Sequence, residues 1–69
     1  MIMLKRGGFR IEAAAVPDSG GFCCVTAEVF DGARMVRGYY RRVQVPASGF
    51  PGAEREAAED VARMTSESE

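Results

Sequence analysis

The sequence predicts a small α+β domain in which a three-stranded antiparallel sheet, in the order β-β-β-α, carries one C-terminal helix on one face. Three runs with the patterns of β-strands, separated by turn signals, extend to residue 45. After the loop Pro-Ala-Ser-Gly-Phe-Pro-Gly, the composition changes to alanine and glutamate without internal glycine or proline. The length of 69 residues suits a single domain with a small core.

Each predicted strand ends at a recognisable break. The first covers residues 9–16, starts with the alternating Phe-Arg-Ile-Glu, and ends at a proline before Asp-Ser-Gly-Gly. The second covers residues 22–30, and an Asp-Gly pair suited to a hairpin connection follows it. The third covers residues 34–45 and is closed by Pro46.

The first two strands share an apolar face if Val16 pairs with Phe22, and the second strand is then central in the sheet. The residues predicted on this buried face are Phe9, Ile11, Ala13, Ala15, Cys23, Val25, Ala27 and Val29. In the same register, the opposite face aligns Arg10, Glu28 and Arg37 as a cross-strand charge ladder.

The third strand changes its pattern along its length. After a four-residue loop, Val36, Gly38 and Tyr40 join the buried face. Val43 and Val45 also suit the core, but they are odd-numbered, whereas the three residues that join the buried face at the start of the strand are even-numbered. We therefore expect a β-bulge near residues 41 and 42.

The helix is predicted over residues 53–64, with Gly52 as its N-cap and acidic residues in its first turn. The stripe expected to face the sheet consists of Ala57, Ala58, Val61, Ala62 and Met64. Residues 65–69 lack apolar side chains and are expected to fray.

Charge is divided unevenly along the chain, although its net value is −1. Residues 1–45 hold seven basic and four acidic side chains, whereas residues 46–69 hold two basic and six acidic ones. The halves either attract each other on folding or present opposite charges to a partner.

No apolar run approaches the roughly 20 residues that span a bilayer, so a cytoplasmic protein without membrane contact is expected.

The residue types argue against catalysis and against a metal or cofactor site. Histidine, the commonest general base, is absent. Cys23 and Cys24 are adjacent on a strand and should point to opposite faces, so they are poorly placed to bond or to hold zinc. We expect Cys23 to pack in the core and Cys24 to be the more exposed, with redox chemistry as the alternative.

A single helix leaves one sheet face bare, and this face is the first candidate for protein contacts. The residues predicted for this interaction face are Phe22, Cys24, Phe30, Met35 and Tyr39. The alternative is that residues 1–4 or the C-terminal tail fold over it.

The segment Met-Val-Arg-Gly-Tyr-Tyr-Arg-Arg-Val-Gln-Val suggests a second candidate, because arginines beside aromatic residues on a sheet hold single-stranded nucleic acid. The residues predicted for such contacts are Arg37, Tyr39, Arg41 and Arg42.

Two family resemblances bear on residues 8–64. The succession of Phe-Arg-Ile-Glu-Ala, Gly-Gly-Phe-Cys-Cys-Val-Thr-Ala-Glu-Val, a third strand and Gly-Phe-Pro-Gly-Ala-Glu-Arg-Glu-Ala-Ala-Glu-Asp-Val-Ala resembles short uncharacterised bacterial β-β-β-α proteins. More distantly, Gly20-Gly21-Phe22 and Arg55-Glu56-Ala57 resemble the second strand and helix start of HicB-type antitoxins, which have half of a double-stranded-RNA-binding fold. The antitoxin turn Leu-Pro-Gly-Cys and a DNA-binding extension are missing from this sequence.

These observations predict a non-enzymatic protein-interaction module. It is expected to form a dimer through its bare sheet face, and another protein is a second candidate partner. The alternative function is a nucleic-acid-binding or antitoxin-like module that uses the third strand.

Overall fold

A computed structural model describes residues 1–67 and has a four-stranded antiparallel sheet followed by one helix. The strands are β1 (Ile2–Arg6), β2 (Phe9–Pro17), β3 (Phe22–Asp31) and β4 (Arg34–Gln44), and the helix is α1 (Gly49–Glu67). Neighbours along the chain are neighbours in the sheet, in the order β1-β2-β3-β4. The predicted α+β class, antiparallel sheet and C-terminal helix are confirmed, but the prediction of three strands is wrong.

The additional strand is β1, which pairs with β2 from Ile2 opposite Ala13 to Arg6 opposite Phe9. Gly7 and Gly8 make the turn between them, both at positive φ (53° and 85°), where a residue with a Cβ atom is strained. The N-terminal residues therefore extend the sheet at its edge, instead of folding over the bare face.

The β2–β3 register differs from the predicted one by two residues. Ile11 lies opposite Val29, and the pairing continues to Pro17 opposite Cys23. Because side chains alternate with a period of two, this shift leaves each side chain on its predicted face. The charge ladder is lost, however, because Arg10 lies opposite Phe30 and Glu28 lies between Glu12 and Gly38.

The β-bulge of β4 lies at Val36, five residues before its predicted place. Phe30 pairs with Met35 and Val29 pairs with Arg37, so Val36 is the extra residue. Beyond it, the odd-numbered residues of β4 face the helix side. Gly38 and Tyr40 consequently lie on the helix-free face, which contradicts their predicted place in the core.

α1 packs against β1, β2 and β3 and thereby closes the core. The buried apolar residues are Ile11, Ala13, Cys23, Val25, Ala27, Val29, Ala53, Ala58, Val61 and Ala62. The predicted helix stripe is confirmed, with Ala57 and Met64 half-buried at its margins. The helix begins four residues before its predicted start, so Gly52 lies inside it, beneath the Ser48 side chain.

The helix also continues past residue 64, its predicted end. Residues 65–67, predicted as the start of a frayed tail, lie in α1. Residues 68 and 69, the rest of that predicted tail, lie outside the described residues.

Candidate interaction surfaces

The sheet face that α1 does not cover, here called the helix-free face, holds four of the five residues predicted for protein contacts. Phe30 lies opposite Met35 on this face, while Phe22 and Cys24 lie opposite Gln44 and Arg42. The fifth, Tyr39, lies opposite Ala27 on the helix side, where it is half-buried against the core. Tyr40 takes its place on the helix-free face, because the bulge at Val36 exchanges the faces of the two tyrosines.

Two arginines of this face stack on its two phenylalanine rings. The guanidinium carbon of Arg42 lies 4.1 Å from the ring centroid of Phe22, and that of Arg10 lies 4.6 Å from the centroid of Phe30. Such stacking covers part of each ring while the charge stays hydrated. The most exposed apolar side chains of the face are therefore not the two phenylalanines. They are Met3 (56% exposed), Val16 (57%), Met35 (52%) and Tyr40 (69%).

Asp18, Cys24, Tyr40 and Arg42 form one hydrogen-bonded network on the helix-free face. Arg42 donates from Nε to the Asp18 carboxylate at 2.7 Å, and this bond lowers the pKa of Asp18. The Tyr40 hydroxyl donates to the Cys24 sulfur at 3.1 Å, which raises the pKa of Tyr40 because the bond favours the neutral phenol. The network fixes the orientation of Tyr40 and Arg42 on an otherwise open surface.

The predicted position of the two cysteines is confirmed. Cys23 is fully buried, Cys24 is half-exposed, and both are free thiols. Adjacent residues of a strand point to opposite faces, so the two sulfurs lie on opposite sides of the sheet.

β4 is the least covered element of the fold: nine of its eleven residues are exposed. Its helix-side face carries Arg37, Tyr39 and Arg41 in succession, three of the four residues predicted for nucleic-acid contacts. Arg37 donates a hydrogen bond of 3.2 Å to the Tyr39 hydroxyl, and Arg41 reaches Asp60 of α1 at 3.4 Å. Arg42, the fourth, points to the helix-free face, so the structure does not bring the whole predicted set together.

A shallow cleft at the β1–β2 turn was not anticipated from the sequence. It has a volume of about 370 Å³. It is lined by Lys5, Arg6, Gly7, Gly8, Phe9, Arg10 and Gly32. The sequence feature that could have predicted this cleft is the pair of adjacent glycines between two basic segments. It indicates a turn only when residues 2–6 are taken as a strand.

Within residues 1–65, no three histidine, cysteine, aspartate or glutamate side chains are grouped so that they could hold a metal ion. No helix within residues 1–67 is both long and apolar enough to cross a membrane.

The resemblances to short bacterial β-β-β-α proteins and to HicB-type antitoxins stay predictions. No protein-family model, no curated protein and no solved structure matches this chain.

Proposed function

We propose that this protein is a non-enzymatic interaction module that forms a homodimer through the helix-free face of its sheet. The observation that carries the proposal is the one-sided cover of the sheet. α1 packs on one face, while Val16, Met35 and Tyr40 remain more than half exposed on the other. Exposed apolar patches with a polar rim are typical of protein contact surfaces.

The charges of the helix-free face favour a second copy of the chain as the occupant. Two of its cations are paired within the face, Arg10 with Glu12 at 2.8 Å and Arg42 with Asp18 at 2.7 Å. Lys5 and Glu28 add one charge of each sign. The face is thus neutral in sum, so two copies can approach without net repulsion.

The size of the molecule also fits a dimer contact. Its principal extents are 36 × 19 × 16 Å. A face along the two longer dimensions offers roughly 700 Å², close to the 800 Å² or so that each partner contributes to a standard interface. The contact would cover the apolar surface that one helix leaves open.

Light scattering over a concentration series tests the proposal. We expect a dimer at high micromolar concentration and a monomer for Tyr40→Glu, which places a charge at the most exposed apolar side chain of the face. Tyr40 is the position to test, since Tyr39 lies on the helix side. The matched control is Ala47→Glu, which adds the same charge in the exposed loop before α1 and should remain dimeric. A wild-type protein that stays monomeric would contradict the proposal.

Single-stranded nucleic acid is a second candidate ligand, supported by the row of Arg37, Tyr39 and Arg41 on one face of β4. The row has one aromatic side chain, and that side chain is half-buried, so this support is weaker. Binding of a labelled oligonucleotide should then weaken steeply with salt, whereas the apolar dimer contact should not. An antitoxin-like role belongs to this second candidate.

A cytoplasmic location is part of the same proposal. The two free thiols are compatible with a reducing compartment, although their places on opposite faces of the sheet already keep them from bonding to each other.

A further inference from the structure

The outer edge of β4 has no strand partner in the described part of the chain. β4 pairs with β3 along one side and is the last strand of the sheet. Backbone N–H and C=O groups on the other side therefore face solvent, as a template on which an extended chain can add a strand.

Two of the features that protect sheet edges are missing along this one. β4 contains no proline, and α1 packs mainly against the other three strands, so four arginines and the bulge at Val36 are the protection that this edge has. The bulge at Val36 lies near its start, so Arg37–Gln44 forms a regular stretch of eight residues. β1, the opposite edge, has five residues, which makes it a poorer template.

The charge of β4 indicates what kind of strand it can accept. It carries four arginines and no acidic residue over its eleven positions. Arg41 and Arg42 are paired with Asp60 and Asp18. Arg34 and Arg37 have no ion pair with any side chain of residues 1–65, and both lie on the helix-side face.

This pattern disfavours a second copy of β4 and favours an acidic strand. Like charges directly opposite each other across two strands are destabilising, whereas opposite charges are stabilising. Pairing of β4 with its own copy would bring eight arginines together without a compensating carboxylate in either strand. An extended segment with carboxylates at alternate positions would instead meet Arg34, Arg37 and Arg41 on the helix-side face.

We propose that the outer edge of β4 binds an extended acidic segment of a partner protein, which adds a fifth strand to the sheet. This interaction is independent of the proposed dimer, because that contact uses the helix-free face and leaves the edge open.

The probe that tests this inference is a fluorescein-labelled peptide of alternating glutamate and valine, about ten residues long, to match the length of β4. Fluorescence anisotropy should show binding, and amide hydrogen exchange should slow at alternate residues of Arg37–Gln44. A peptide with the same charges but N-methylated at alternate positions cannot donate the backbone hydrogen bonds, so it should not bind.

Charge reversal tests the part played by the arginines. Arg34→Glu with Arg37→Glu should weaken binding by roughly tenfold or more, because two attractive cross-strand contacts become repulsive. The matched control is Arg6→Glu with Arg55→Glu, which makes the same charge change at exposed positions outside β4. The control should bind the peptide within about twofold of the wild type.

Three results would overturn the proposal. The first is equal binding of the N-methylated peptide, since charge alone would then explain it. The second is an unchanged exchange rate along β4. The third is a labelled oligothymidine that binds more tightly than the peptide and protects the same residues, which would assign β4 to nucleic acid.

Discussion

The carboxylate of Glu54 accepts a hydrogen bond of 2.9 Å from the backbone N–H of Ala15, and this contact joins the start of α1 to β2. β1 begins at Ile2, opposite Ala13, and so provides no strand partner for Ala15. The other carboxylate oxygen lies 3.2 Å from the amino terminus of Met1. Glu54 is a buried acidic residue with 8% of its surface exposed. It thus accepts a hydrogen bond from a backbone N–H that has no partner within the sheet.

Glu54→Ala should lower the free energy of unfolding by about 1–3 kcal/mol, because it leaves the partly buried N–H of Ala15 without an acceptor. Glu54→Gln should cost less, since its amide oxygen can still accept that bond. Urea denaturation measures both changes. The control is Glu56→Ala, on the exposed side of the same helix turn. Equal losses for Glu54→Ala and Glu56→Ala would show that the contact does not stabilise the fold.

Val61 is 1% exposed and belongs to the main core cluster together with Ile11 and Val29. Val61→Asp should unfold the domain, because it buries an unpaired charge in a small core. Val61→Ala should be milder, at about 1–3 kcal/mol. Circular dichroism during thermal unfolding checks both. A cooperative transition of Val61→Asp near that of the exposed variant Arg55→Asp would contradict the packing of this helix stripe.

A thiol reagent should modify Cys24 well before Cys23 in the native protein. Cys24 is half-exposed beside Tyr40, whereas Cys23 is fully buried under α1. Mass spectrometry of peptides from a labelling time course follows the two sites separately. The labelling should be done at low protein concentration, because the proposed dimer then dissociates and does not cover Cys24. Equally fast labelling of both cysteines would show that Cys23 is exposed by local opening.

The ion pair of Asp18 with Arg42 should make stability depend on pH. The hydrogen bond from Arg42 lowers the pKa of Asp18 below its ordinary value of 3.8. The contribution is therefore fully present above pH 3.8 and is lost as the pH falls through the lower value of the folded protein.

Asp18→Asn should be less stable than the wild type at neutral pH, and this difference should shrink in acid. The effect should be small because the pair is exposed. Urea denaturation at a series of pH values measures it, with Glu59→Gln, at an exposed position of α1, as the control. A difference between Asp18→Asn and the wild type that is constant with pH would mean that the pair does not contribute to folding.

The sequence predicted the parts of the fold that depend on local pattern. The period of two in β2 and β3 placed Ile11, Val25 and Val29 on one face, and an error of two residues in register did not alter that assignment. The stripe of small apolar residues around Val61 predicted how α1 packs. Turn glycines and prolines marked most of the element ends.

The tertiary structure decided three features that depend on partners distant in sequence. Residues 2–6 form a strand because β2 offers them a free edge, and so short a segment carries little signal of its own. The bulge at Val36 places Tyr39 and Val43 on the helix side, against the core, while Met35 stays opposite Phe30. The role of Glu54 arises from the place where β1 ends. In each case the local sequence pattern allows several strand pairings. The folded chain selects one of them, because that pairing buries the most apolar surface and leaves the fewest backbone groups without a hydrogen bond.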